Sequence, residues 1–138
     1  MNKETNGYEE RAHPADLAMF VWAVSLSELF VQAGKGMGEL LKPEVSEDEV
    51  LYQTRILCEA ADIESLLVAF LSEILYCLDE KQILFIPSKV RIEQNRLTAS
   101  LEGRQVTRSG REIKAVTYSN LQIRKTRSGF ETTIVFDI

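Results

Sequence analysis

Residues 17–24 read Leu-Ala-Met-Phe-Val-Trp-Ala-Val, an unbroken apolar stretch rich in strand-forming residues. A strand with one wet face alternates polar and apolar positions, and this run does not. It is predicted to be a central strand covered on both faces, or one that meets a partner. The chain must therefore supply strands to flank it and helices to cover it.

The helices are legible from their caps and stripes. Ser25-Leu26-Ser27-Glu28 fits a capping box, in which the Ser25 hydroxyl and the Glu28 carboxylate satisfy free backbone donors. Leu26, Leu29, Phe30, Ala33, Met37, Leu40 and Leu41 follow at helical spacing, and Pro43 stops the helix. Within it lies Gly34-Lys35-Gly36-Met37-Gly38. A phosphate-cradling loop would have to precede the helix, so these glycines read as close-packing positions instead. Asp62 is placed to cap a second helix through Asp79. Its broad apolar face is Ile63, Leu66, Leu67, Phe70, Leu71, Ile74, Leu75 and Leu78.

Strand signals fill the rest. Tyr8–Arg11 forms a short strand and Glu47–Glu59 a longer one, with Val50, Tyr52, Thr54, Ile56 and Cys58 on one face. Ile83–Ile86 is a short strand ended by Pro87. Val90–Gln94 and Leu97–Leu101 make a hairpin around Asn95-Arg96, and Gly103–Arg111 is a basic loop. Glu112–Lys125 is a long strand or two, broken near Ser119-Asn120. Residues 126–129 turn the chain into a final strand, Phe130–Ile138. The expected fold class is α+β: a two-layer, mostly antiparallel or mixed β-sheet with two main helices packed on it, in a single domain. Residues 1–7 are expected to be a flexible N-terminus and 8–138 the folded domain.

At 138 residues and 45% hydrophobic, the chain can bury a core. No apolar window has the ~18 residues of a membrane span, and the polar start lacks the pattern of a signal peptide. The expected location is cytoplasmic, with no membrane partner. Residues 1–87 carry 6 Lys/Arg against 16 Asp/Glu, and residues 88–138 carry 10 against 5. The acidic whole, net −5, argues against a general nucleic-acid binder. The basic last third leaves room for a local phosphate or acidic-protein contact, though a solvated strand face is the simpler explanation. Cys58 and Cys77 match no zinc spacing and read as buried, reduced thiols.

Three oxygen donors come from the two ends of the chain. Asp137 and the α-carboxylate of Ile138 sit side by side at the end of the last strand, and Asp16 precedes the central one. Adjacent carboxylates repel unless a cation lies between them, which suggests a hard-metal site. The competing reading makes Asp16 a turn residue and pairs Asp137 with an arginine. His13 is the single histidine, and no Ser/His/Asp or Cys/His set accompanies it, so a hydrolase lacks its general base. Lys114 lies in Ile113-Lys114-Ala115-Val116-Thr117-Tyr118, where alternation groups it with Val116 and Tyr118. It either snorkels to water or meets a phosphate or carboxylate.

From Tyr8 to Ile138 the chain resembles the archease family. The resemblance rests on Tyr8-Glu9-Glu10 with His13-Pro14-Ala15-Asp16, on the Leu-rich helix 66–79 ending Leu75-Tyr76-x-x-Asp79, and on residues 113–118 with Val135-Phe136-Asp137-Ile138. It implies a non-enzymatic accessory protein of the RtcB-type RNA ligase, which joins RNA ends through a guanylylated histidine using GTP and a divalent metal. The family role is to speed guanylylation and permit multiple turnover in tRNA splicing or RNA repair. Contact with tRNA or RNA ends and GTP would be indirect, through the ligase. The family's metal site maps to Asp16, Asp137 and Ile138, with calcium the first expectation and magnesium or manganese the others. His13 and Lys114 fall among the residues for partner contact and activation. The chain departs from the family pattern at Pro14, where threonine is usual, at Ser119, where histidine is common, and in the 103–111 loop, which lacks an Asp-Pro-x-x-His pattern. The wider family also suggests an adaptor or chaperone for RNA-modifying enzymes.

Overall fold

The computed structural model describes residues 5–11, 16–48 and 51–138. In chain order the elements are β1 (Gly7–Arg11), β2 (Leu17–Ala23), α1 (Leu26–Leu41), β3 (Glu44–Val45), β4 (Tyr52–Glu59), α2 (Ile63–Lys81), β5 (Ile83–Glu93), β6 (Arg96–Arg108), β7 (Ala115–Val116), β8 (Arg124–Lys125) and β9 (Phe130–Asp137). The fold is α+β and every strand pair is antiparallel. The strands divide into two sheets. In one, β2 lies between β1 and β9, and β9 also pairs β7 and β8; in the other, β6 is central and pairs β3, β4 and β5.

The unbroken run behaves as its composition dictates. Leu17, Met19, Val21 and Ala23 are buried on the face toward α1, and Ala18 is buried on the other. On that second face Phe20 and Trp22 stack with ring centres 5.6 Å apart, and the Arg11 guanidinium lies 4.8 Å above Phe20. The strand is thus covered by a helix on one face, while its own half-buried aromatics and Arg11 partly shield the other.

Both helix starts are held by side chains. The Ser25 hydroxyl accepts the Glu28 N–H at 3.1 Å, and Asp62 accepts the Ser65 N–H at 2.8 Å. Glu28 accepts from Gln32 at 3.1 Å, a bond the capping-box reading did not include. The helix α1 packs on β2 and on β5 and so ties the sheets together, while α2 covers β4, β5 and β7. Close approach explains the glycines. A Cβ at Gly34 would lie 2.5 Å from the Pro87 ring, and one at Gly36 would strike the Met19 sulfur and the Tyr8 ring.

Several boundaries differ from the sequence reading. Pro87 does not end a strand: β5 continues through it, with a bulge between Pro87 and Lys89. Among the described residues β5 pairs only β6, so it is an edge where proline's missing N–H is tolerated. The Ser88 hydroxyl mends the bulge by donating to the Ser100 carbonyl at 3.1 Å. The hairpin turn is Gln94-Asn95, one residue earlier than expected, because Glu93 pairs with Arg96. Residues 103–108 are strand rather than loop: Val106 is buried opposite Val45, Arg104 is half-buried and Arg108 exposed along β6. Residues 112–125 keep only two short strands. Between them, Ile123 donates to the Glu64 carboxylate at 3.0 Å and Thr132 to the Gln122 carbonyl at 2.9 Å, so side chains hold what a ladder was expected to hold. The strand expected at Glu47–Glu59 begins at Tyr52 in the described residues; positions 49 and 50, with the expected face position Val50, lie outside them.

Candidate functional site

The first sheet brings the two ends of the chain together. Leu17 pairs with Phe136 and Ala115 with Asp137, so the start of β2, the end of β9 and the start of β7 are adjacent. Asp16 precedes Leu17 and Asp137 follows Phe136, so both lie at this end of the sheet. The Lys114 N–H donates to the Asp137 carbonyl at 2.7 Å, and Thr117 donates to Val135 at 2.9 Å, which pins the 114–117 segment to the last strand. Asp16, Asp137, Ile138 and Lys114 thus share one end of the sheet. Asp16 is half-buried, Asp137 and Lys114 are exposed, and Ile138 is 47% exposed despite being apolar.

Among the described residues, the Asp137 carboxylate and the Lys114 ammonium form no ion pair. The expected pairing of Asp137 with an arginine is not made. No three His, Cys, Asp or Glu side chains gather as a metal site among the described residues. The tip carries instead the side chains of Asp16 and Asp137 and the main-chain oxygen of Ile138. These are hard oxygen donors at an exposed position, the chemistry that suits calcium, magnesium or manganese with water completing the shell. His13 and Pro14 lie outside the described residues.

Lys114 is not placed as the alternation predicted. Ile113 and Val116 are buried while Lys114 and Ala115 are both exposed. The segment enters its strand only at Ala115, so the two-residue period does not yet apply at Lys114. Cys77 is buried and Cys58 only half-buried, a correction to the reading of both as buried. Burial pushes both thiols up, and the Glu73 charge adds to this, which makes neither a ready nucleophile or ligand.

A second feature lies beside the tip. A groove of about 720 Å³ runs between the C-terminal half of α2 and residues 109–115. Leu75, Leu78, Val106 and Ile113 supply apolar lining, and Tyr76, Asp79, Glu112 and Lys114 supply polar groups. Sequence reasoning did not assemble it. Its one local signal is the i, i+3, i+4, i+7 row Ser72, Leu75, Tyr76, Asp79, which borders the core stripe and shares Leu75 with it.

The sequence matches the model of the Archease protein family over residues 8–138. The protein archease of Methanosarcina acetivorans is 32% identical over 151 aligned positions, covering 100% of both chains. That of Danio rerio is 32% identical, covering 97% of this chain and 86% of the relative. Two solved structures share the fold. The solution structure of protein 1598 from Methanobacterium thermoautotrophicum has a TM-score of 0.69 at 23% identity, covering 96% of this chain and 99% of the other. The crystal structure of a Thermotoga maritima archease, described as a possible chaperone, has a TM-score of 0.68 at 21% identity, covering 100% and 98%.

Proposed function

The chain belongs to the archease family, and we propose that within it this protein is a non-enzymatic activator of an RtcB-type RNA ligase. It promotes guanylylation of the ligase and multiple turnover in tRNA splicing or RNA repair. The carboxylate tip is the active element. The observation that carries this reading is the convergence of Asp16, Asp137, Ile138 and Lys114 at one exposed sheet end, with the Asp137 carboxylate and the Lys114 ammonium unpaired among the described residues.

Asp16, Asp137 and the terminal carboxylate of Ile138 would hold a divalent cation, calcium first. When bound, it would supply positive charge that orients phosphate or carboxylate oxygens of the ligase site. The antiparallel pairing of β2, β9 and β7 sets Asp137 in a strand and Asp16 and Ile138 next to strand ends, which supports a site that needs little ordering on docking. The exposed Lys114 ammonium meets a phosphate or an acidic ligase side chain.

The test is multiple-turnover RNA joining by a cognate ligase with GTP, with this protein substoichiometric. The expected result is a rise from about one turnover per ligase to many, the signature of a recycled activator. Absence of any rise contradicts the reading. Extending the chain beyond Ile138 converts its carboxylate to an amide and should reduce activation; unchanged activation removes that group from the site.

A second reading, adaptor or chaperone for RNA-modifying enzymes, draws support from the description of the Thermotoga relative and from exposed Leu57 and Tyr118. It predicts a stoichiometric complex with the enzyme that survives Asp16→Ala and Asp137→Ala together. Loss of the complex in that double variant contradicts it.

A further inference from the structure

We infer that the groove between α2 and residues 109–115 is a docking site for an extended segment of the partner ligase that carries an arginine, with Tyr76 and Asp79 as its recognition residues. This rests on the activator reading and adds a second contact to the carboxylate tip.

Four observations support it. Tyr76 is 57% exposed, although the core stripe of α2 is fully supplied by other residues. A tyrosine on a solvent face beside the half-buried Leu75 and Leu78 offers an aromatic surface above an apolar floor, the composition of a recognition pocket. Asp79 follows one helical turn on, so its carboxylate borders the same opening. Among the described residues neither Asp79 nor Glu112 has an ion pair or a side-chain hydrogen bond, whereas Arg111, the other cation on the rim besides Lys114, faces Glu10 at 3.8 Å.

The unpaired rim charges are therefore Asp79, Glu112 and Lys114, an acidic balance. Within this set Tyr76 and Asp79 form the match for a guanidinium, which stacks on an aromatic ring while its fork donates to a carboxylate. Lys114 marks the end of the groove nearest the tip, because its N–H is bonded to Asp137. A segment lying in the groove therefore leads directly to the carboxylates. The loop that forms the far wall is held by its backbone: Arg111 donates to the Leu41 carbonyl at 2.7 Å, and Gly110 packs on the α1 C-terminus, where a side chain would collide. The wall is thus set before a partner arrives.

The experiment is calorimetric titration of the full-length protein into its cognate ligase, with wild type, Tyr76→Ala, Asp79→Asn and Asp137→Ala. Each groove variant should weaken the complex by about tenfold or more, with calcium binding at the tip and the thermal midpoint unchanged. Groove variants that bind within about twofold of wild type overturn the inference while leaving the activator reading intact. Failure of the activator reading itself shows differently, as wild-type protein that binds no ligase. Two other occupants are tested directly. If GTP titrated into the protein alone shifts the amide signals of Tyr76 and Asp79, the groove is a nucleotide site. If sedimentation shows a dimer that Tyr76→Ala dissolves, it is a self-contact. Either outcome overturns the proposal.

Discussion

The two charged sheet ends of this protein are built to opposite rules. At the hairpin end of the second sheet, carboxylates meet arginines. Arg96 reaches Glu59 at 2.6 Å and Arg91 reaches Glu93 at 3.1 Å, all four well exposed. At the tip of the first sheet the Asp137 carboxylate and the Lys114 ammonium are left without ion-pair partners among the described residues. The hairpin end keeps a solvated surface neutral. The tip leaves these two charges without an intramolecular ion pair among the described residues. Local composition does not separate the two, since both are short runs of charged and apolar residues at strand ends.

The difference implies that changes at the tip alter function and leave the fold, while changes in the scaffold do the reverse. The largest effect is expected for Asp137→Ala. Ligase activation should fall to the level without the protein, and calcium affinity should fall by more than the ~10–100-fold that outer-shell changes cost at metal sites. Thermal unfolding should be almost unmoved because the side chain is exposed. A variant that unfolds early and retains activation would erase the distinction.

Gly34→Ala should do the opposite. Its Cβ would press on the Pro87 ring, which is rigid and fixed in β5. Overpacking of about 1–3 kcal/mol outweighs or cancels the ~1 kcal/mol gained in helix propensity. Denaturant unfolding should show a net loss of up to about 2 kcal/mol, with tip metal affinity unchanged. A stabilised variant would show that the sheet gives way and that the close packing is not tight.

Acid titration examines a scaffold charge. Bonds from Ser65 hold the Asp62 carboxyl below its ordinary value. The folded state therefore prefers the ionised form, and this contribution is present above about pH 4. It is lost as pH falls through the depressed folded value. Asp62→Asn keeps a capping oxygen but cannot titrate, so its stability should decline less than wild type on acidification. Equal declines would mean that Asp62 does not contribute to the acid limb.

The smallest effect belongs to Arg96→Ala. Exposed ion pairs are worth about 0.2–1 kcal/mol, and activation should be unaltered. A loss of activation here would give the hairpin end a function and break the comparison.

What the sequence disclosed followed the range of the interactions. Ser25 and Asp62 were legible as caps because a cap is satisfied three residues away. The apolar run 17–24 announced a covered strand because its pattern is local. The shared position of Asp16 and Asp137 has a different origin: both lie at the ends of strongly predicted strands, and the antiparallel pairing of those strands sets them at one sheet end. Pro87 misled because its cost depends on being at a sheet edge, which sequence does not display. Residues 103–108 misled because arginines within a strand resemble a basic loop. The groove was invisible because Tyr76 and Glu112 come to line one opening only through the packing of α2 beside β7.

The most direct measurement is calorimetric titration of calcium into wild-type protein and into the Asp16→Ala and Asp137→Ala variants. One cation should bind per chain in wild type and none, or far more weakly, in both variants, with all three proteins equally folded. Binding unchanged in the variants, or absent from wild type, would contradict the claim that the tip carries the function through a metal.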